Sequence, residues 1–302
     1  MRATRRQLLA MTGGIAVAGG CLEAAANRDH LVSGDDILAI AHRGSPLLWP
    51  ENTMKSITNS IETGADMVEF DFDVTADGEL VVIHDRTVDR TTEVDGSVDV
   101  NDLTLEEVQE LDAGYNFPPE QPEGYEKADV DHEHVPPDEE HPYRGEGTYM
   151  PTVREVFETV PTEFPLLIEP KHERPDPSQI ASLIREFDRE ETTLLGAFES
   201  PILEEIREEI DLETGLGAAE VRHFLLTQRA SEDRYDPPGE FLFAPHEIVR
   251  ESLVDRAHRN GLSVLPWTVN DPIEMRRLIE AGVDGILTDD HILLKQILDQ
   301  YE

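Results

Sequence analysis

Residues 263–288 read SVLPWTVNDPIEMRRLIEAGVDGILT, and this stretch decides the fold. An apolar run, Ser263–Val269, is followed by Asp271-Pro272, a helical pattern, Gly282 and a second apolar run, Gly285–Thr288. Asp at the cap and Pro at the first helical position open a helix, and Gly just past its end closes it. Strand, helix, strand is the unit that lets neighbouring strands run parallel, because a parallel return needs a crossover of about a dozen residues or more.

The same alternation extends back to Asp35. The strand candidates are Ile37–Ala41, Met67–Val74, Pro165–Glu169, Thr193–Phe198, His223–Thr227, Phe241–Ala244, Ser263–Val269 and Gly285–Thr288. Thr152 with Glu155 forms a capping box for a helix over Val153–Val160. Glu247–Asn260 reads as a helix stopped by Gly261. Eight strand–helix units over 35–302 predict an α/β fold of the (β/α)8 TIM-barrel type, with its active site at the carboxyl ends of the strands. An open doubly wound sheet is the alternative, and periodicity alone does not separate the two.

One further apolar run, Leu80–Ile83, follows Thr75-Ala76-Asp77-Gly78-Glu79. The Asp-Gly turn is too short for a crossover, so this run folds back on Met67–Val74 as a hairpin. A two-residue loop at Asp77-Gly78 places Asp71 opposite His84, with Glu69 on the same face. A bulge would shift that register by one. The hairpin leads into an insertion over about 86–150. Its part from 114 to 150 is rich in Pro and acids, and reads as solvated and partly unordered, on the active-site face. His132, His134 and His141 in it are a weak metal signal.

Acidic residues number 65 and basic residues 25, a net charge of −40. Nucleic-acid backbones and anionic lipid surfaces are poor partners for such a field. Only four of the 25 cations are Lys. Molar salt would screen the self-repulsion to a Debye length of about 3 Å, so the composition fits a protein adapted to concentrated salt. One Cys excludes an internal disulfide and a thiolate zinc site.

Residues 1–20 carry Arg2, Arg5 and Arg6 and then the short apolar run Leu8–Val17, the pattern of an export signal. Thr4-Arg5-Arg6-Gln7-Leu8-Leu9 resembles a twin-arginine signal, and Ala18-Gly19-Gly20-Cys21 resembles a lipoprotein cleavage box. The expectation is an exported chain, secreted or held at the outer face of the cell membrane by lipid on Cys21, with residues 21–34 as a tether.

Polar residues gather where barrel strands should end: His42-Arg43-Gly44, Glu69 and Asp71, His84-Asp85, and Glu169 with Lys171. Such groups are costly in a core and should share a polar cavity. Three carboxylates converging there need a cation, and hard oxygen ligands suit Ca2+ or Mg2+. The two His can exchange protons near neutral pH. Arg43 and Lys171 point to an anionic substrate, most simply a phosphate. His172, His246, His258 and His291 read as structural or exposed. Asn52 reads as a helix cap for Thr53–Thr63, and Glu51 as a group that orients Arg43.

The motifs Ala41-His42-Arg43-Gly44, Pro50-Glu51-Asn52-Thr53 and Gly64-Ala65-Asp66-Met67-Val68-Glu69-Phe70-Asp71 resemble the opening of glycerophosphodiester phosphodiesterases. Thr75-Ala76-Asp77-Gly78, His84-Asp85, Arg90-Thr91-Thr92, Pro151-Thr152 and Ile168-Glu169-Pro170-Lys171 continue the pattern in order. Trp267-Thr268-Val269-Asn270 and Gly282-Val283-Asp284-Gly285-Ile286-Leu287-Thr288-Asp289 complete it, so the resemblance covers 37–291 and is to a secreted, haloarchaeal-type member. It implies a TIM-type barrel that hydrolyses glycerophosphodiesters to glycerol 3-phosphate and an alcohol. It implies that His42 and His84 are the general acid and base, that Glu69, Asp71 and Glu169 hold one divalent cation, and that Arg43 and Lys171 hold phosphate. Trp267 would wall the glycerol pocket, and Glu51, Asn52 and Asp85 would support the site.

The sequence departs from that family at Ala197-Phe198, where Ser-Phe is common, and at Pro170, which interrupts an apolar step. The insertion is also longer and more acidic. Two rival functions are a phospholipase D-like enzyme acting on phospholipids or lysophospholipids and a non-enzymatic surface lipoprotein that binds a phosphorylated solute. An apolar rim at the barrel mouth would favour the first.

Overall fold

Short strands alternate with amphipathic helices through the computed structural model, which describes residues 31–32, 36–125, 141–171, 175–227 and 236–301. The strands are β1 (Leu38–Ala41), β2 (Met67–Val74), β3 (Leu80–Val82), β4 (Leu166–Pro170), β5 (Thr193–Leu195), β6 (Glu213–Thr214), β7 (Phe241–Pro245), β8 (Ser263–Trp267) and β9 (Gly285–Thr288). The α-helices are α1 (Met54–Glu62), α2 (Leu105–Gln109), α3 (Val153–Thr159), α4 (Pro177–Glu186), α5 (Ser200–Glu209), α6 (Ala218–Thr227), α7 (Glu251–Arg259), α8 (Pro272–Ala281) and α9 (His291–Leu298).

All strands but β3 are parallel to their neighbours. The order β6-β5-β4-β2-β1-β9 makes one sheet and β7-β8 a second. A parallel bridge at Gly215 and Phe241 joins β6 to β7. At the other edge Asp284 N donates to Val264 O (3.1 Å) and Val269 N to Leu287 O (2.9 Å), joining β8 to β9. The chain is therefore a (β/α)8 TIM-type barrel, as expected.

Side-chain alternation with period two sorts each strand between barrel interior and helix layer. Ile40, Met67, Leu167, Leu194, Phe241, Leu265 and Leu287 meet inside. Val68, Phe70 and Phe72 pack outward against Ile57, Val156 and Ile168. Glu69 and Asp71 share the parity of Met67, and Glu169 that of Leu167, so the acids continue the interior column toward the carboxyl ends. Val32 closes the opposite end at 2% exposure. Ser263 Oγ donates to its carbonyl (3.2 Å), and Leu31 N donates to Glu213 Oε1 (3.1 Å). The rest of the leader and tether, Cys21 included, lies outside the described residues.

Helix boundaries follow their signals. Thr152 and Glu155 form the reciprocal capping box of α3. Asp271 caps α8 by accepting from Ile273 N, and Gly282 ends it at φ 79°.

Three expectations are corrected. His223–Thr227 is the end of α6 rather than a strand; a short apolar run fits a helix as well as a buried strand. The sixth strand is Glu213–Thr214, too short to show a pattern. In the β2–β3 hairpin, Phe72 pairs with Val82 and Val74 with Leu80, and Ile83 N donates to Asp71 O (3.0 Å). Asp71 thus opposes Ile83, not His84. The loop is Ala76-Asp77-Gly78, with Gly78 at φ 89° and Thr75 N bonded to Glu79 O, a three-residue turn that adds one position to the loop. Finally, Thr53 rather than Asn52 caps α1: its side chain accepts from Ser56 N and the Ser56 hydroxyl accepts from Thr53 N.

The described ends of the insertion are packed. Val88, Val100, Val108, Ala113 and Met150 make a small core with Val81 and Ile83. Phe117 and Tyr143 meet edge to face at 5.2 Å beside Leu48 and Trp49. His141 Nδ1 lies 3.1 Å from Phe117 O; His132, His134 and His172 lie outside the described residues.

Candidate active site

The chain leaves β1 in a tight turn, with left-handed φ at Arg43 (50°), Gly44 (72°) and Ser45 (66°). Position 44 must be Gly: a Cβ would lie 2.5 Å from Ser56 Oγ and 2.8 Å from the Ser56 carbonyl carbon. The turn aims Arg43 N at Glu69 Oε2 (2.8 Å) and sets His42 beside it. β1 and β2 therefore arrive at one place.

β2 and β4 bring the acids together. Their register pairs Asp71 with Glu169 on one rung. Glu69, Asp71 and Glu169 each offer an oxygen, and these lie within 4.8 Å of one another. Glu69 and Asp71 are buried, and Glu69 Oε1 has no hydrogen-bond partner among the described residues. Lys171 Nζ lies 2.9 Å from Asp71 Oδ1 and 3.1 Å from Glu169 Oε1, and Arg43 Nε lies 3.2 Å from Asp71 Oδ2. Asn52 completes the clamp on Asp71: its Nδ2 donates to Oδ2 (2.9 Å), and Asp71 N donates to its Oδ1 (3.2 Å).

The electrostatics divide the three acids. Burial, then the neighbouring Asp71 charge, push Glu69 up to about 8. Burial also opposes ionisation of Asp71, but Lys171 and Arg43 outweigh it and hold that carboxyl well below the usual range. Burial works against the charge on Lys171 too; Asp71 and Glu169 more than restore it. An unpaired buried oxygen on Glu69, hard donors and clustered acids fit a divalent cation. Nothing in the donor set favours a soft metal.

Both imidazoles are backed by carboxylates. His42 Nδ1 lies 2.6 Å from Asp289 Oδ1, and His84 Nδ1 lies 2.6 Å from Asp85 Oδ1. Burial works against ionisation of Asp289, but its contact with His42 keeps it low. Asp85 is likewise held well below the carboxylate range, against its partial burial, by bonds from His84 and Arg90. An ionised carboxylate can only accept, so Nδ1 donates and Nε2 is the atom left to exchange protons. Asn270 Nδ2 donates to Asp289 Oδ2 (2.6 Å). Arg90 ties Asp85 to Glu51: its Nη1 donates to Glu51 Oε2 (2.7 Å) and its Nη2 to Glu51 Oε1 (2.6 Å). Glu51 in turn accepts from Arg43 Nη1 (3.2 Å), the orienting contact expected of it.

His42, Arg43, His84, Glu169, Lys171 and Trp267 line one cavity of about 640 Å3. Trp267 Nε1 is buried without a hydrogen-bond partner among the described residues, and its ring lies 5.7 Å from that of Phe243. The residues expected to form or support the active site thus lie at this barrel mouth or directly behind it. Asp289, Asn270 and Arg90 join the site without a local sequence signal of their role, except that Asp289 follows the last strand, where a polar residue is itself a signal.

His246 and His258 pair with Glu274 (3.6 Å) and Asp284 (2.8 Å), and His291 Nδ1 lies 2.7 Å from Ser45 Oγ. None of the three lines the cavity. Burial pushes His291 down to about 3.

Comparison with known proteins agrees with this architecture. The model of the glycerophosphoryl diester phosphodiesterase family matches residues 42–293. A glycerophosphodiester phosphodiesterase of Caldanaerobacter subterraneus subsp. tengcongensis is 35% identical over 263 residues, covering 84% of this chain and 94% of that protein. The glycerophosphoryl diester phosphodiesterase domain of a Mycobacterium tuberculosis protein superposes with a TM-score of 0.71 at 21% identity, covering 86% of this chain and 98% of that one. An Oleispira antarctica phosphodiesterase, solved with its product sn-glycerol-3-phosphate, superposes with a TM-score of 0.63 at 21% identity, covering 86% and 96%. The chain belongs to the glycerophosphoryl diester phosphodiesterase family.

Proposed function

We propose that this chain hydrolyses glycerophosphodiesters to glycerol 3-phosphate and an alcohol, with His42 and His84 as the proton carriers and Glu69, Asp71 and Glu169 as the ligands of one Ca2+ or Mg2+. The observation that carries the reading is one cavity lined by two carboxylate-backed imidazoles and by Glu169, whose carboxylate gathers with those of Glu69 and Asp71 so that an oxygen of each falls within 4.8 Å of the others. A cation held there supplies charge neutralisation at a non-bridging phosphate oxygen.

Arg43 and Lys171 bring fixed positive charge to the phosphate, in a protein otherwise strongly negative. One imidazole takes a proton through Nε2 from the nucleophile, either water or the adjacent glycerol hydroxyl. The other gives a proton through Nε2 to the departing alkoxide. Asp289 and Asp85 fix Nδ1–H on each ring and so keep Nε2 available. The unpaired Trp267 indole N–H, at the cavity wall, suits a glycerol oxygen. A solute-binding lipoprotein would need no such pair of proton carriers.

The test is release of glycerol 3-phosphate from a panel of glycerophosphodiesters in high salt, with and without chelator. Turnover lost in chelator and restored by Ca2+ or Mg2+ supports the reading. No turnover with any diester under either cation overturns it.

A further inference from the structure

His291, the first residue of α9, lines no part of the cavity, yet it touches the segment that carries His42 and Arg43. Its ring is buried. Nδ1 lies 2.7 Å from Ser45 Oγ, and Nε2 lies 3.0 Å from Thr63 Oγ1 at the end of α1. Chemistry fixes the direction of both bonds. Thr63 already donates its hydroxyl proton to Asn59 O (2.6 Å), so its oxygen accepts here and Nε2 carries the ring proton. Burial, then the Lys295 charge, disfavour the imidazolium, so the ring is neutral at working pH. A neutral imidazole protonated at Nε2 accepts at Nδ1, so the Ser45 hydroxyl donates to it.

Ser45 matters because of the turn it ends. Arg43, Gly44 and Ser45 all have left-handed φ, and only one of them is Gly. Such conformations persist where the surroundings over-determine them. Within the turn Ser45 N donates to His42 O (2.8 Å). Asn52 N donates to Arg43 O (3.0 Å) and Ser60 Oγ to Gly44 O (3.1 Å), which fix the turn against the α1 side. A different set of contacts ties residues 42–49 to residues 289–291. His42 Nδ1 meets Asp289 Oδ1 (2.6 Å), Leu47 N donates to Asp289 O (3.2 Å), Ser45 Oγ donates to His291 Nδ1, and the Trp49 ring lies 6.2 Å from that of His291. The first of these pairs an imidazole with its carboxylate. The others set the spacing of the two segments that supply that pair, and Thr63 pins the far side of the His291 ring.

Resting on the reading of His42 as a proton carrier, we propose that His291 is a positioning residue for the reaction, which through the Ser45 hydroxyl holds the turn bearing His42 in register with Asp289. The His42 ring thereby keeps its Nδ1 bond and its place on the cavity wall. His291 does this as a neutral, buried brace that touches no substrate, and the bonds broken and formed at phosphorus are unchanged.

The experiment measures kcat and KM for His291→Leu, Ser45→Ala and the double variant, each in the wild-type and the His42→Ala background. The substrate is the diester of the panel above that the wild-type protein turns over fastest. Each single variant should lower kcat about tenfold, because small misplacements of a reacting group are costly, with KM little changed. The double variant should lose no more than the larger single loss, since the two residues act as one contact. In the His42→Ala background neither variant should lower the residual rate, because the group they position is gone. A general loss of structure would lower the rate in both backgrounds. Ser45→Ala removes a single oxygen, so it reads the contact even where His291→Leu folds poorly. Unchanged kcat in Ser45→Ala, additive losses in the double variant, or an equal loss in the His42→Ala background overturns this inference, while the loss in His42→Ala itself upholds the general reading. Full activity of His42→Ala, or no turnover of any diester by the wild-type protein, overturns both.

Discussion

Asp289 Oδ1 lies 2.6 Å from His42 Nδ1, and Asn270 holds Asp289 twice, donating from Nδ2 to the carboxylate Oδ2 (2.6 Å) and accepting at Oδ1 from the Asp289 backbone N (2.9 Å). Burial and the Arg43 charge work against the imidazolium, yet Asp289 outweighs them and His42 is raised above its ordinary value. Replacing Asp289 by Asn removes the charge that favours the protonated ring. The limb of the kcat/KM pH profile that belongs to His42 should then move to lower pH. Activity should fall by up to the 10²–10⁴ that general acid–base catalysis supplies. A profile that stays in place would show that Asp289 does not tune His42.

His42→Ala and His84→Ala should each lower kcat/KM on the order of 10²–10⁴, with the far-UV circular dichroism unchanged. The two rings stand on different elements, the turn after β1 and the segment after β3. Loss at one and not the other would mean that only one carries a proton. Full activity in both would remove acid–base catalysis by these residues.

Glu69 is held at a cost to the fold. Its carboxyl is buried, one oxygen is unpaired, and Asp71 and Glu169 stand beside it. Glu69→Gln keeps the shape and drops the repulsion of the ionised carboxylate, so in chelator above about pH 8 the melting temperature should rise by a few degrees, about 1 kcal/mol or less. The same variant should be inactive with added cation. A lower melting temperature in chelator at that pH would contradict the placing of strain at Glu69.

Much of this site could be read directly from the residues. Period-two alternation put Glu69 and Asp71 on one face, and the strand ends of a barrel placed Glu169 and Lys171 with them. The remainder depended on geometry that pattern does not encode. The hairpin register slipped by one because Thr75 closes a three-residue loop on Glu79. Asn suits a cap, which makes Asn52 look like one in sequence, but at φ 55° its amide meets Asp71 instead. β6 is two residues long, so the apolar Phe224-Leu225-Leu226 of α6 imitated the missing strand. The Asp289–His42 contact spans 247 residues, beyond the reach of any local spacing rule.

The leader gives a separate prediction. Lipid on Cys21, proposed from the Ala18-Gly19-Gly20-Cys21 box, would hold the expressed full chain at the membrane. Cys21→Ser should move the protein from the membrane fraction to the soluble fraction. Unchanged retention would exclude lipidation as the anchor.

The account stands on the three acids sharing one ion. Calorimetric titration of Ca2+ and of Mg2+ into the chelator-treated protein in high salt tests this most directly. One ion should bind per chain, weakened at least about tenfold by Glu169→Gln, with activity following occupancy. Undiminished turnover in chelator, with no ion bound by the wild-type protein, would contradict it.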